Sequence, residues 1–319
     1  MKINFYLPLP ARWTIEDVKN TPIDSTSIGA SNFFLSYAMV SLYRSLQQKY
    51  PDIEIIPIDN KDKAETYCCC TKYNIFIPLL ENPDNGKHIA ISYCDKNHLI
   101  RKDNLWEDLD NCIELFACGG LQYEDVTYEP FHPLIKYTPC TNSTWFWEGY
   151  KAIQYYQNKK RSTISPEKPI FIGGGIWNFR EYIKKYDTRF NLTPAIPPRD
   201  FIKELSKYSI HIDFNGGAEV SNRTFEALGL GAALVRPKLH IQYHNKLIPN
   251  YHYAEVPCPD FSDYKSLADA YIETFEKVKQ DKDYRIFLSE NGRKWWDENC
   301  TLESHTKIFT ELINLNKLK

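Results

Sequence analysis

The sequence lacks a surplus of either charge, a long apolar run, paired cysteines, and the short glycine and acidic motifs that would announce a cofactor. Its 39 basic and 41 acidic side chains leave a formal net charge of −2, so no broad field attracts nucleic acid or an anionic membrane. No window approaches the apolar length that spans a bilayer, so no transmembrane segment is expected. The opening MKINFYLPLPARW is interrupted by two prolines and lacks a small-residue cleavage pattern; it reads as a first strand rather than a signal peptide. None of the nine cysteines forms a C-x-x-C pair. Cys68, Cys69 and Cys70 are contiguous and the rest scattered, which suits reduced thiols in a cytoplasmic protein better than zinc or a disulfide framework. The sequons at Asn142, Asn191 and Asn222 would matter only in a secreted chain. No G-x-G-x-x-G precedes the first long helix and no D-x-D sits at a strand end, so neither a bound cofactor nor a metal is expected.

What is present is an ordinary globular composition, 43% apolar and 25% charged over 319 residues. That length exceeds the size at which one core usually stops growing, so two domains are expected. The first spans residues 1–140. Lys2 to Leu9 reads as a strand, Thr14 to Ala30 as a long connection, and SNFFLSYAMVSLYRSLQQKY as a helix capped by Ser31 or Asn32. IEIIPID, YNIFIPLL and HIAISYC read as further strands, with a turn at Asn82 to Lys87. Leu105 to Phe116 has a helix-compatible pattern, ended by Gly119 and Gly120. Gly29, just before the long helix, marks a turn or a close backbone approach to phosphate or sugar. Asp24 in the same loop, and Asp95 and His98 after HIAISYC, are candidate acids or bases where open sheets place ligand-contacting loops. Solvated carboxylates and a structural histidine are the alternatives.

Residues 141–300 form the second expected domain. Thr141 to Lys160 reads as a helix, with the hinge between Pro133 and the linker NKKRSTISPEK. The run NKKR (158–161) is a solvated helix end; its small basic patch is the basis for expecting peripheral membrane contact. KPIFIGGGIWNFREYIKKY restarts the strand-helix alternation. Gly174 and Gly175 there admit a diphosphate near the backbone, or simply a tight strand-helix joint. A helix from about Arg199 to Lys207 and the strand SIHIDF follow. Residues 301–319 are expected to be a C-terminal helix, and Trp295 and Trp296 to be core or interface aromatics rather than sugar platforms.

The densest polar pattern lies between Phe214 and Leu239: FNGGAEVSNRTFEALGLGAALVRPKL. An apolar strand runs into paired glycines, a helix start and another strand, the pattern of a βαβ crossover. Glu219, Asn222, Arg223 and Glu226 cluster at the helix start. A guanidinium there can bind phosphate bidentately, and a carboxylate can accept from sugar hydroxyls. The plain alternative is a surface Arg223–Glu226 pair worth roughly 0.2–0.5 kcal/mol.

Arg223, Phe225, Glu226, Ala227, Leu228 and Gly231 form R-x-F-E-A-L-x-x-G, which resembles the donor site of GT-B glycosyltransferases in a shortened form. The resemblance implies an α/β fold of two Rossmann-like domains facing a cleft, the second binding a nucleotide-diphosphate sugar, with the helix of residues 301–319 crossing back to the first domain and Trp295 and Trp296 available to pack that crossing. It implies Glu226 on the donor ribose, and points to Arg223 on the diphosphate with Asn222 on sugar or phosphate. Glu219 would be the earlier acid, one residue closer to Glu226 than in the familiar pair. The implied activity is metal-independent transfer of a hexosyl or pentosyl group to a glycan, glycolipid or other hydroxyl acceptor. The nucleotide sugar is the donor substrate rather than a cofactor. The alternatives are a nucleotide-sugar isomerase or epimerase, and a non-catalytic nucleotide-sugar binding or scaffold protein.

Overall fold

In the first strand every second residue, Ile3, Phe5 and Leu7, is apolar and buried, while Asn4 and Tyr6 between them are half-exposed. That period-two pattern pins one face to a core. The structure is a computed structural model describing residues 2–8, 14–20, 37–58, 69–70, 75–76, 79–92, 111–117, 135–137, 147–157, 164–166, 170–172, 178–187, 197–214, 220, 222–239, 241–257 and 263–319. It divides into two units, Met1–Trp147 with Thr301–Lys319, and Glu148–Cys300.

The first unit runs β1 (Ile3–Pro8), α1 (Ile15–Asn20), α2 (Tyr37–Lys49), β2 (Ile53–Ile58), β3 (Cys69–Cys70), β4 (Ile75–Phe76), β5 (Leu79–Glu81), β6 (His88–Ser92), β7 (Cys112–Ala117) and β8 (Ile135–Tyr137). Six strands form one sheet in the order β2-β1-β5-β6-β7-β8, while β3 and β4 pair separately. The sheet is parallel except for β5, which runs against both β1 and β6. Because β5 reverses the direction twice, the chain leaves β6 at the same edge of the sheet as it leaves β1.

Two sequence expectations are corrected here. The connection after β1 contains α1, started by a reciprocal cap that the pattern reading passed over. The Thr14 amide donates to Asp17 Oδ2 at 2.7 Å and the Asp17 amide to Thr14 Oγ1 at 3.2 Å. The segment expected to be helical up to Phe116 ends instead in β7. Its CIELFA run is laddered on both sides, by β6 and β8, and two-sided strand pairing overrides a short helical periodicity.

Residues 302–312 form a helix that packs on α2. Hydroxyl pairs one turn apart link them, Thr306 to Ser41 and Thr310 to Ser45, each at 2.9 Å. A 3-10 turn, Leu315–Leu318, then docks on the β5–β6 turn. Asn82 and Asn85 each donate to the Leu318 carbonyl at 2.9 Å, and Lys317 meets the buried Glu114 at 2.9 Å.

The second unit comprises α3 (Trp147–Tyr156, from Glu148 onward), β9 (Ile170–Ile172), α4 (Asn178–Tyr186), α5 (Pro198–Leu205), β10 (Ile210–Asp213), α6 (Asn222–Gly229), β11 (Ala233–Pro237), β12 (Ala254–Val256), α7 (Tyr264–Gln280) and α8 (Lys282–Asn299). The 302–312 helix is α9. The four strands are all parallel, in the order β12-β11-β10-β9. One face supplies Ile210, Ile212, Ala233, Val235, Ala254 and Val256 to a core closed by α4, α7 and α8. Asp263 and Asp281 cap α7 and α8 by accepting backbone N–H bonds. Trp295 lies against Phe225 and Tyr243, and Trp296 against Tyr150, all within the second unit. Cys112 and Cys300 are buried.

Two histidines give each unit an acid-sensitive element. Burial lowers His305 on α9 to about 3 and His252 before β12 to about 4, against an ordinary value of 6.5. The unfolded chain therefore binds more protons below pH 6.5. This contribution to stability is complete above that pH and is lost as pH falls towards 4 and then 3. Denaturant midpoints measured from pH 7 to pH 4 are expected to fall, and His305→Gln is expected to flatten the first unit's share of that slope.

Candidate functional site

On the second sheet, the pleat that sends Ile210 and Ile212 into the core sends His211 and Asp213 to the opposite face, beside Leu234 and Arg236 of β11. All four are buried. A buried charge must be matched, and Asp213 and Arg236 match each other. Arg236 Nη1 donates to Thr224 Oγ1 at 2.6 Å and to Asp213 Oδ2 at 3.3 Å, and the Thr224 hydroxyl donates in turn to Asp213 Oδ2. Arg236 Nε donates to its neighbour Pro237's carbonyl at 3.1 Å. From α7, the Tyr271 hydroxyl donates to the Asp213 carbonyl at 2.9 Å. The network joins the end of β10, the end of β11 and the first turn of α6, so the start of α6 is set on the sheet by charge as well as by packing.

The far end of α6 is fixed by a different device. Gly231, at φ 67°, lets its amide bond the Leu228 carbonyl at 2.9 Å and the Ala232 amide bond the Ala227 carbonyl at 3.1 Å, the pattern of a Schellman cap. Gly229 faces α8 at a distance where a Cβ would stand 2.7 Å from the Trp296 ring. Only glycine lets the two helices approach this closely.

Between these anchors α6 begins at Asn222 and brings Arg223 and Glu226 together. Arg223 Nη1 donates to both Glu226 oxygens, at 3.0 and 2.8 Å. The guanidinium carbon also lies 4.1 Å from the ring centroid of Phe201 on α5. Glu226 is 3% exposed and Arg223 29%. The pair expected as the plain alternative therefore forms, yet not on the surface, because its carboxylate is buried. It sits where the chain, having left the carboxyl end of β10, enters a helix whose amino end carries partial positive charge. That combination can hold an anion and accept from hydroxyls.

Asp24, Gly29, Asp95, His98, Gly174, Gly175 and Glu219 lie outside the described residues. Sequence reasoning missed Asp213, Thr224, Arg236 and Phe201. The available signal was a charge inside each apolar strand, Asp213 closing IHID and Arg236 within ALVRP, since buried parallel strands carry a charge only when it is paired. Among the described residues no cluster of His, Cys, Asp and Glu is arranged to hold a metal ion. An open concavity at the α7–α8 corner, lined by Glu273, Glu276, Asp281 and Asp283 with Lys277 and Lys282, is mostly acidic and does not include the α6 residues.

No protein-family model matches the sequence, and no curated protein matches it. Among solved structures the chain is similar to TarM, at 10% identity and a TM-score of 0.45 over 88% of this chain and 59% of TarM. It is also similar to a mutant of S. aureus TarM in complex with fondaparinux, alpha-GlcNAc-glycerol and UDP, at 9% identity and a TM-score of 0.44 over 87% and 59%. A third is the pneumococcal O-GlcNAc transferase GtfA in complex with UDP and GlcNAc, at 11% identity and a TM-score of 0.41 over 86% and 53%. The chain thus spans little more than half the length of these proteins.

The buried network makes a direct prediction. Asp213→Ala, which strands the Arg236 charge, is expected to cost about 3–5 kcal/mol of stability. Pairing it with Arg236→Met is expected to recover much of that loss in urea denaturation, because the uncompensated charge is then gone.

Proposed function

We propose that this chain is a metal-independent glycosyltransferase of GT-B type that moves a sugar from a nucleotide diphosphate to a hydroxyl acceptor. One observation carries the reading: the Arg223–Glu226 pair at the amino end of α6, beside the carboxyl edge of a parallel sheet. A planar cation and the helix-end amides suit a diphosphate, and a fixed carboxylate suits a ribose diol. On this reading Arg223 serves the diphosphate, Glu226 the ribose, and Asn222 the sugar or phosphate. In transfer, the acceptor oxygen bonds the anomeric carbon as its bond to the diphosphate oxygen breaks. The electron pair leaves with the diphosphate, where Arg223 offsets the growing charge. If configuration inverts, the acceptor proton goes to a base, for which Asp24, Asp95 and His98 are proposed.

The test is a panel of nucleotide-diphosphate sugars, read for binding and for slow donor hydrolysis. Hydrogen bonds to charged groups are worth about 1.5–3 kcal/mol, so Arg223→Ala and Glu226→Ala are each expected to weaken the preferred donor roughly 10- to 100-fold. Unchanged binding in both variants would sink the reading. Binding with neither hydrolysis nor transfer to any acceptor would favour a nucleotide-sugar binding protein, and conversion of the donor without an acceptor an isomerase or epimerase. Chelation with EDTA is expected to leave turnover unchanged; its abolition would refute metal independence.

A further inference from the structure

The Arg223–Glu226 pair has a third member on another helix. Phe201 is 5% exposed on α5, a helix whose Ile202 and Leu205 are also buried and whose Leu205 carbonyl contacts His211 Nε2 of β10 at 3.0 Å. Its ring is thus fixed relative to the sheet. Thr224, next to Arg223 in sequence, is tied to Asp213 and Arg236, which fixes the α6 backbone at the same point. With both backbones held, what remains to be set is the direction of two long side chains, and each conformation held in one geometry carries a loss of rotamer freedom. The ring attracts the guanidinium over its face at 4.1 Å, and a single amino group of that guanidinium reaches both Glu226 oxygens. Ring, cation and carboxylate are thus in successive contact, from Phe201 on α5 through Arg223 to Glu226 on α6.

We infer that Phe201 is a positioning residue for Glu226 that acts through Arg223, the ring orienting the guanidinium that serves the diphosphate and the guanidinium in turn orienting the carboxylate that reads the ribose hydroxyls. The inference rests on the nucleotide-sugar reading and adds a determinant of ribose discrimination in a residue that itself need not meet the ligand. An aliphatic side chain at 201 would fill the space but would not attract the face of the guanidinium. A lysine at 223 would keep the charge as a point without a planar fork.

The experiment measures calorimetric binding of UDP, GDP, ADP and CDP, each against its 2′-deoxy and 3′-deoxy forms, to wild type, Phe201→Leu, Phe201→Tyr and Arg223→Lys. Thermal midpoints are recorded alongside. Wild type is expected to prefer the ribose form of its best ligand by roughly tenfold, the worth of one charged hydrogen bond. Phe201→Leu and Arg223→Lys are expected to lose that preference by weakening the ribose form more than the deoxy forms, while Phe201→Tyr, which keeps the ring, retains it. A purely structural Phe201 would weaken ribose and deoxyribose forms alike; that result, or a preserved preference in Phe201→Leu, overturns the inference. Should Phe201→Leu fail to fold, a preserved preference in Arg223→Lys overturns it. Wild type that binds no nucleotide, or binds without discriminating, removes the donor reading itself and the inference with it, a result separable from a failure of the relay alone.

Discussion

The second unit depends on one buried ion pair. Asp213 and Arg236 lie at the carboxyl ends of adjacent strands, and Thr224 between them passes a hydrogen bond from the guanidinium to the carboxylate. In a low-dielectric interior, losing one partner is far more costly than leaving out both. The arrangement is therefore intolerant of displacement, and the first turn of α6 inherits that rigidity. The tight Gly229 contact and the cap at Gly231 hold the other end. A helix fixed at both ends can present Arg223 and Glu226 in a constant geometry.

The two charge pairs, one beneath this helix and one on it, differ in surroundings. Asp213 and Arg236 are sealed, at 2% and 0% exposure, and their work is done within the fold. Glu226 is buried but its partner Arg223 is partly solvated, so that pair lies where buried structure gives way to solvent. Pre-set donors and acceptors at such a boundary are what binding an anion with hydroxyls requires, because little reorganisation is left to be done when the ligand arrives. The first unit is held by another means. Its core joins β1, α2 and the chain's last helix and turn through Phe309, Ile313, Leu315 and Leu318, so the closing residues belong to the core rather than trailing from it.

Much of the second unit was legible because its local signals agree with one another. Apolar strands, a helix from about Arg199 and glycines on both sides of α6 all point to the same alternation. The first unit was less so. The β5 reversal, the six-residue helix α1 and strand β7 rest on pairing partners far away in sequence or on a short reciprocal cap, and period alone distinguishes short apolar runs poorly. The clustering of Asn222, Arg223 and Glu226 could be read from their spacing, since residues three and four apart share a helix face.

The sequence by itself determined the strand-helix alternation of the second unit, the position of α6 and the proximity of Arg223 to Glu226, because these follow from local spacing and backbone preference. Tertiary structure alone decided that the Glu226 carboxylate is buried, that Phe201 stands over Arg223, and that Asp213, Thr224 and Arg236 meet. Those contacts join residues on different elements, 11 to 23 positions apart in the network. Only the stacking of strands and helices brings them within hydrogen-bonding distance, where burial turns a modest attraction between charges into a constraint on the whole unit.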